Sequence, residues 1–118
     1  MMKFDHLNLP VSDLERSRDW WVSTLGLTVE FEVSDTRTVA LNDSEGFAIF
    51  LQEKPDAVAR VALWFQVDDV DAIHASWSAR GVRFTHGPQK NFWGYGAELA
   101  DPDGYLLRLW DERSMKQK

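Results

Sequence analysis

The sequence contains no cysteine among its 118 residues. This absence excludes disulfides, thiolate metal ligands and a cysteine nucleophile. It also favours the cytosol, because small secreted domains often depend on disulfide bridges. Residues 1–10 lack a basic start followed by an apolar stretch, so we expect a cytoplasmic protein without an export signal.

Long apolar runs and basic clusters are also scarce. No apolar run is longer than the one at residues 61–65, which is far shorter than the about 18 residues that a membrane-spanning helix needs. Thirteen basic residues oppose nineteen acidic ones, and the formal charge is −6. Nucleic-acid binding relies on clustered Lys and Arg, which occur only in residues 113–118. We therefore expect neither a membrane nor a nucleic-acid partner.

Tryptophan, in contrast, is abundant, with six residues beside seven Phe and two Tyr. The remaining composition, 44% hydrophobic and 27% charged with seven Gly and four Pro, is that of an ordinary globular domain. Trp21 and Trp77 fall at core spacing on predicted helices and are expected to be buried. The other tryptophans need a separate explanation.

The chain repeats itself. Residues 62–70 match residues 6–14, and residues 104–111 match residues 46–53. Such self-similarity predicts two copies of one supersecondary unit. The predicted organisation is a first module at about 1–53, a linker at 54–60, a second module at about 61–112 and a tail at 113–118.

Each half is predicted to contain a strand, a helix and three further strands. Ser12 and Glu15 form a capping box that starts the first helix, which Gly26 ends. Asp68 or Asp69 caps the second helix. The predicted strands cover about 4–9, 27–33, 36–41 and 47–53 in the first half, and 62–67, 82–84, 94–99 and 105–110 in the second.

Alternation along the terminal strands defines a second, mixed surface. In the strand at 62–67, the apolar set Leu63, Phe65 and Val67 is predicted to lie under the helix. The opposite face carries Ala62, Trp64 and Gln66, with His6, Asn8, Ala48, Phe50, Gln52, Leu106, Arg108 and Trp110 at matching positions. Aromatic walls with a few polar groups are typical of a ligand cavity, although a solvated face or a subunit interface is the alternative. The sequence does not determine whether Glu98 lies on the same face as Arg108.

The two modules, with residues 4–7 (FDHL), 67–72 (VDDVDA) and 96–105 (GAELADPDGY), resemble the vicinal oxygen chelate superfamily. That superfamily includes glyoxalase I, extradiol dioxygenases, fosfomycin resistance enzymes and bleomycin resistance proteins. The resemblance covers nearly the whole chain. It implies an α+β fold of two βαβββ modules, whose curved mixed sheets surround a cleft, and a homodimer.

The resemblance also implies four metal-ligand positions, typically His, Glu, His and Glu. The corresponding positions here hold His6, Phe50, Ala62 and Arg108. Phe and Ala side chains offer no lone pairs, and a permanent guanidinium charge repels a divalent cation. We therefore expect no metal cofactor. His74 on a helix and His86 in a loop are predicted to lie away from the site.

Short matches in residues 62–67, 74–78 and 92–95 resemble the metal-free bleomycin resistance branch, which implies sequestration of an antibiotic-like, partly aromatic ligand. In this interpretation Trp64, Trp93 and Trp110 stack on the ligand. Arg108, Gln66 and Asn8 orient its polar groups, His6 and Phe50 line the floor, and Gln52 lies nearby. Residues 87–93 are predicted to form a loop long enough to act as a lid.

Two other functions stay open. The leading interpretation assigns no catalytic residue. One alternative is an enzyme, either a divergent metal-dependent lyase, isomerase or dioxygenase with a metal on His6 and Gln52, or a metal-free isomerase with His6 as general base. The other is a domain that acts only through a protein partner. Arg108 has its own simpler explanation, an ion pair with Glu98 or Asp5. The ligand's identity is not specified by the sequence.

Overall fold

The computed structural model describes residues 2–58 and 61–116. The chain forms two compact units, Met1–Ala59 and Arg60–Lys118. Each unit contains a four-stranded mixed sheet and the helix that follows its first strand. The predicted α+β fold of two βαβββ modules is confirmed. No helix in the described ranges is long and apolar enough to cross a bilayer.

The first unit is built on a sheet with the strand order β1-β4-β3-β2. Its elements are β1 His6–Val11, α1 Leu14–Leu25, β2 Thr28–Val33, a 3₁₀ turn Ser34–Thr36, β3 Thr38–Asn42 and β4 Ala48–Glu53. Strands β1 and β4 are parallel, and the other pairs are antiparallel. The buried side chains include Leu9, Val11, Leu14, Trp21, Val39, Leu41, Ile49 and Leu51. They form the core between α1 and the sheet.

The second unit repeats this topology with the order β5-β8-β7-β6. Its elements are β5 Ala62–Gln66, α2 Val70–Ala79, β6 His86–Asn91, β7 Gly94–Ala100, β8 Leu106–Trp110 and α3 Glu112–Lys116. The buried side chains include Val70, Ala97, Leu99, Tyr105, Leu107 and Leu109. The short helix α3 has no counterpart in the sequence prediction, which assigns only a tail there.

The start of α1 differs from the prediction by one residue. Asp13, not Ser12, is the N-cap of α1, and its side chain accepts a hydrogen bond from the Arg16 backbone N–H at 3.0 Å. The predicted capping box is therefore wrong, because Ser12 precedes the cap. Of the two candidates in the second unit, Asp69 caps α2.

A matched acidic residue, at the end of β4 in the first unit and directly after β8 in the second, accepts a hydrogen bond from the first residue of α1 or α2. Glu53 Oε2 accepts a hydrogen bond from the Leu14 N–H at 3.0 Å. Asp111 Oδ2 accepts one from the Val70 N–H at 2.7 Å. The sequence repeat aligns Glu53 with Asp111, so the two units share this link as well as their strand order.

One strand of the second unit lies where the sequence predicts a loop. Residues 82–84 are not a strand, and β6 instead covers His86–Asn91 as the edge strand paired with β7. The register shifts between His86 and Gln89, which accommodates Pro88, a residue that cannot donate to a ladder. The predicted lid over residues 87–93 is therefore wrong, and only the turn between β6 and β7 stays outside the sheet.

Candidate functional site

In the first unit, the predicted site residues of β1 and β4 lie side by side. Asn8 is the register partner of Phe50, and its Nδ2 donates to Gln52 Oε1 at 3.4 Å. The His6 ring stacks on the Phe50 ring with centroids 3.7 Å apart. His6 Nδ1 lies 2.8 Å from Asp5 Oδ2. The structure thus brings His6, Asn8, Phe50 and Gln52 together within this unit.

The first unit also contains an open hollow of about 370 Å³. Its lining residues are Lys3, Phe4, Asp5, Glu30, Phe31, Asn42, Gly46, Ala48 and Phe50. Phe31 meets Phe50 edge to face, with centroids 5.5 Å apart. Among the predicted site residues, Phe50 is the one that lines this hollow. Phe31 lies on β2, a strand with no predicted site residue.

In the second unit, a single row of side chains crosses all four strands. Trp64 on β5 is opposite Arg108 on β8, Arg108 is opposite Glu98 on β7, and Glu98 is opposite His86 on β6. Directly opposed residues share one face of a sheet. Glu98 therefore faces Arg108. The prediction that His86 lies in a loop away from the site is wrong, because His86 begins β6 and belongs to this row.

Arg108 is the centre of the row. Its Nε donates to Glu98 Oε2 at 2.9 Å, and the Arg108 and Glu98 side chains are only 13% and 15% exposed. The guanidinium carbon lies 4.7 Å from the centroid of the Trp64 ring and 5.3 Å from that of the Phe92 ring. Both distances are within cation–π range. Of the two predicted acidic partners, Glu98 rather than Asp5 forms the ion pair.

A hydroxyl group completes the environment of Glu98. Thr85 Oγ1 donates to Glu98 Oε1 at 2.7 Å. Burial alone raises the pKa of the Glu98 carboxyl, but the hydrogen bonds from Thr85 and Arg108 outweigh burial, and the pKa lies below its usual value. Glu98 is therefore ionised at neutral pH and holds the Arg108 guanidinium in place.

Trp93 extends the aromatic surface beside Arg108. Its ring meets the Trp64 ring edge to face, with centroids 6.0 Å apart. A side chain at Gly96 would overlap with the Trp93 indole and with the Leu109 carbonyl oxygen. Gly96 thus leaves the space in which the indole lies against β7. Phe92, beside Trp93 in the turn, is 87% exposed. We name the group of Arg108, Trp64, Trp93 and Phe92 the Arg108 cluster.

Phe92, Gly96 and Thr85 were not predicted as parts of this arrangement. Phe92 lies within the motif 92–95, so its neighbourhood to Trp93 was a usable signal. Gly96 and Thr85 carried no signal, since their roles depend on how β6 and β7 pair. The remaining predicted residues are Gln66 on β5 and Trp110 on β8, which are register partners of each other. Each lies two residues further along its strand than Trp64 or Arg108.

The residues at the four metal-ligand positions do not form a metal-binding donor set. Phe50 and Ala62 have no donor atoms, and Arg108 is a cation already paired with Glu98. Only His6 has a lone pair for a metal. In the described ranges, three carboxylates do approach one another at Asp13, Glu15 and Glu53.

Arg37 occupies that acidic group. It donates to Glu15 through Nη1 and Nη2 at 2.8 Å each, and to Glu53 through Nε and Nη2 at 3.0 and 2.9 Å. The hydrogen bonds from Arg37 lower the pKa of Glu15 from 4.5 to about 2. A guanidinium with two carboxylates is a structural clamp, and its positive charge disfavours a cation at the same place.

Residues 3–109 match the sequence model of the Glyoxalase/Bleomycin resistance protein/Dioxygenase superfamily. The chain belongs to this superfamily. The resemblance seen in the sequence is thereby confirmed. A superfamily whose members include lyases, dioxygenases and resistance proteins does not fix the reaction, so the function has to be argued from the site.

Solved structures of superfamily members share the fold. TnmS3, an antibiotic-binding protein from Streptomyces sp. CB03234, is 26% identical, with a TM-score of 0.75 over 94% of this chain and 96% of that one. The bleomycin-binding protein of Streptomyces verticillus, solved with copper(II)-bleomycin, is 19% identical, with a TM-score of 0.71 over 95% and 99%. A glyoxalase/dioxygenase from Nostoc punctiforme is 22% identical, with a TM-score of 0.74 over 93% and 90%. None of the curated proteins matches the chain.

Proposed function

We propose that this protein binds a small, partly aromatic molecule through the Arg108 cluster, without a metal ion of its own and without changing the ligand chemically. The observation that carries this proposal is the ion pair of Arg108 and Glu98, which lies beneath the Trp64 and Phe92 rings. Arg108 also occupies one of the four positions at which the family resemblance implies a metal ligand. The cluster offers contact area and hydrogen-bond donors. It offers no Lewis acid.

The exposure of the aromatic rings supports ligand binding. Trp64 is 47% and Phe92 is 87% exposed, whereas a ring with a purely structural role is usually buried, as Trp21 is. Exposed aromatic side chains grouped around a polar centre are typical of binding sites. A flat ring system that stacks on Trp64 or Phe92 removes apolar surface from water at little cost in side-chain entropy.

The similarity to TnmS3 gives independent support, because that antibiotic-binding protein shares 26% identity along nearly its full length. By extension, we propose antibiotic sequestration, and hence resistance, as the biological role. Asn8, Gln52, His6 and Phe50 of the first unit, with Gln66 and Trp110, stay predicted ligand contacts. A cytoplasmic location also stays a prediction.

A homodimer is part of the proposal. It follows from the superfamily resemblance together with exposed apolar side chains on β2, where Val29, Phe31 and Val33 are 38%, 44% and 41% exposed. Light scattering coupled to size-exclusion chromatography measures the mass directly. Twice 13.6 kDa is the expected value, and 13.6 kDa would refute the dimer.

Tryptophan emission tests the binding role. The protein, kept in EDTA, is titrated with bleomycin, echinomycin, 2-naphthoate and 2-naphthamide, and at least one compound should quench the emission in a saturable way. The variant Trp64→Leu should weaken that binding by about five- to tenfold, because it removes one stacking surface worth about 1–1.5 kcal/mol. Trp20→Phe, in a half-buried ring of the first unit, is the matched control and should bind as the wild type does. The absence of a saturable response to all four compounds would refute the proposal.

The second candidate is a metal-free isomerase, which the contact between His6 and Asp5 favours. A carboxylate on Nδ1 fixes the tautomer of a histidine and leaves Nε2 as a base. Turnover of candidate substrates that is lost in His6→Gln and retained in Trp64→Leu would support the enzyme. Elemental analysis of protein purified without chelators separates both candidates from a metal-dependent enzyme, which requires a stoichiometric ion.

A further inference from the structure

Arg108 has hydrogen-bonding capacity that its own unit leaves unused. A guanidinium carries five N–H donors, and Arg108 donates from Nε to Glu98. Within residues 2–58 and 61–116, neither terminal nitrogen of Arg108 donates a hydrogen bond. The side chain is only 13% exposed, but its terminal nitrogens are not among the buried side-chain atoms that lack a partner in the described residues. These donors therefore reach the surface, where a ligand has access to them.

Arg37 shows how a structural arginine is satisfied in the same protein. Its Nε and both terminal nitrogens donate to the carboxylates of Glu15 and Glu53, although Arg37 is 44% exposed. All three nitrogens of the better-solvated arginine thus donate to protein carboxylates, whereas only Nε of Arg108 does so. This contrast indicates that Arg108 keeps donors for a partner that its own unit does not supply.

The surroundings of Arg108 restrict what that partner is. Glu98 takes Nε, and the Trp64 and Phe92 rings lie within cation–π distance. The donors that remain are the two terminal nitrogens, which form a planar fork that matches the two oxygens of a carboxylate. The nearby Glu98 charge and the formal charge of −6 disfavour a dianion such as a phosphate monoester.

We propose that the terminal nitrogens of Arg108 bind a carboxylate group of the ligand, whose aromatic part stacks on Trp64. The ligand class is therefore an aromatic monocarboxylate. This inference rests on the proposed binding function and names its substrate class. In it, Glu98 and Thr85 are positioning residues, because their hydrogen bonds orient the guanidinium and do not touch the ligand.

The test compares 2-naphthoate with 2-naphthamide, two probes of nearly the same shape that differ in charge. Calorimetry or tryptophan emission gives both dissociation constants for the wild type, Arg108→Gln and Arg83→Gln. Wild-type protein should prefer the carboxylate by about tenfold, the lower end of what a charge-assisted bidentate contact gives at a partly hydrated site. Arg108→Gln should bind both probes alike, with the affinity for the amide changed less than twofold. Arg83→Gln, which alters an exposed arginine of the same unit, should keep the preference.

Each other outcome has a definite meaning. Equal wild-type affinity for the two probes, or a preference that persists in Arg108→Gln, overturns the carboxylate site and leaves the binding function standing. Failure of both probes to bind overturns the carboxylate site, and failure of the whole panel overturns the binding function as well. If Arg108→Gln does not fold because Glu98 loses its partner, the double variant Arg108→Gln/Glu98→Gln removes both charges and should also bind the two probes alike.

Discussion

Removal of the Asp111 carboxylate should destabilise the protein more than removal of most other single carboxylates. It is 1% exposed, and its two oxygens accept hydrogen bonds from the Val70 N–H at 2.7 Å and from the Ser114 N–H at 2.6 Å. It therefore serves the N-termini of α2 and α3 together. Burial alone raises the pKa of Asp111, but these donors outweigh burial and keep the pKa below its usual value.

The variant Asp111→Ala leaves two helix-terminal N–H groups without their acceptor. A hydrogen bond to a charged group contributes about 1.5–3 kcal/mol, and loss of an N-cap costs about 1 kcal/mol. We expect a loss of about 3 kcal/mol in the free energy of unfolding, because the hydrogen bond from the Val70 N–H is buried and its loss leaves that donor without an acceptor. The melting temperature should fall by roughly 15 °C.

Urea unfolding followed by tryptophan emission measures this loss, because four of the six tryptophans, Trp64, Trp77, Trp93 and Trp110, belong to the second unit. Asp56→Ala, in an exposed turn of the first unit, is the control and should change the free energy by less than about 0.5 kcal/mol. A loss below about 1 kcal/mol in Asp111→Ala would refute the capping role assigned to this carboxylate.

Three further predictions concern other contacts. Arg37 holds the pKa of Glu15 at about 2 rather than 4.5. The stabilisation that the ionised Glu15 gives the fold is therefore complete above pH 4.5 and is lost as the pH falls toward 2. In Glu15→Gln, the melting temperature should decline less steeply over this pH range. Gly96→Ala forces an overlap with an indole and a carbonyl oxygen and should lower the free energy of unfolding by about 2 kcal/mol, read from the urea midpoint. Thr85→Val removes a donor to Glu98 and should raise the pKa of that carboxyl, measured by carbon-13 NMR titration.

Each of these has a contradicting result. An acid-stability profile of Glu15→Gln that coincides with the wild-type profile would show that the clamp does not couple to folding. A Gly96→Ala protein as stable as the wild type would mean that the indole moves away at no cost. If the pKa of Glu98 is the same in Thr85→Val as in the wild type, the Thr85 hydroxyl does not help to keep Glu98 ionised.

The sequence repeat was sufficient to predict the architecture, because each half carries the same order of alternating and helical patterns. The start of α1 and the position of β6 could not be predicted from local sequence alone. Ser12 and Asp13 are both good caps, and neighbouring residues do not determine which one starts the helix. The strand His86–Asn91 was hidden because Gly87 and Pro88 have low strand propensity, whereas pairing with β7 and a register shift override that preference.

The candidate site was predicted only in part, because the turn at residues 101–104 decides which residues of β7 and β8 face each other. The facing of Glu98 toward Arg108 depends on the register of the hairpin between β7 and β8. Asp101 fixes that register, since its Oδ1 accepts hydrogen bonds from the Asp103 and Tyr105 N–H groups at 3.0 and 2.8 Å. Several turn types fit the residues 101–104, so the sequence alone left the ion pair undecided.

Fluorine-19 NMR of protein labelled with 5-fluorotryptophan tests the binding role of the Arg108 cluster most directly. The six tryptophans give six resonances, which single Trp→Phe variants assign. On addition of 2-naphthoate or its amide in EDTA, the account predicts that the Trp64 and Trp93 resonances shift in a saturable way while those of Trp20 and Trp21 stay in place. Shifts confined to Trp20 and Trp21, or shifts that appear only after a divalent metal is added, would contradict it.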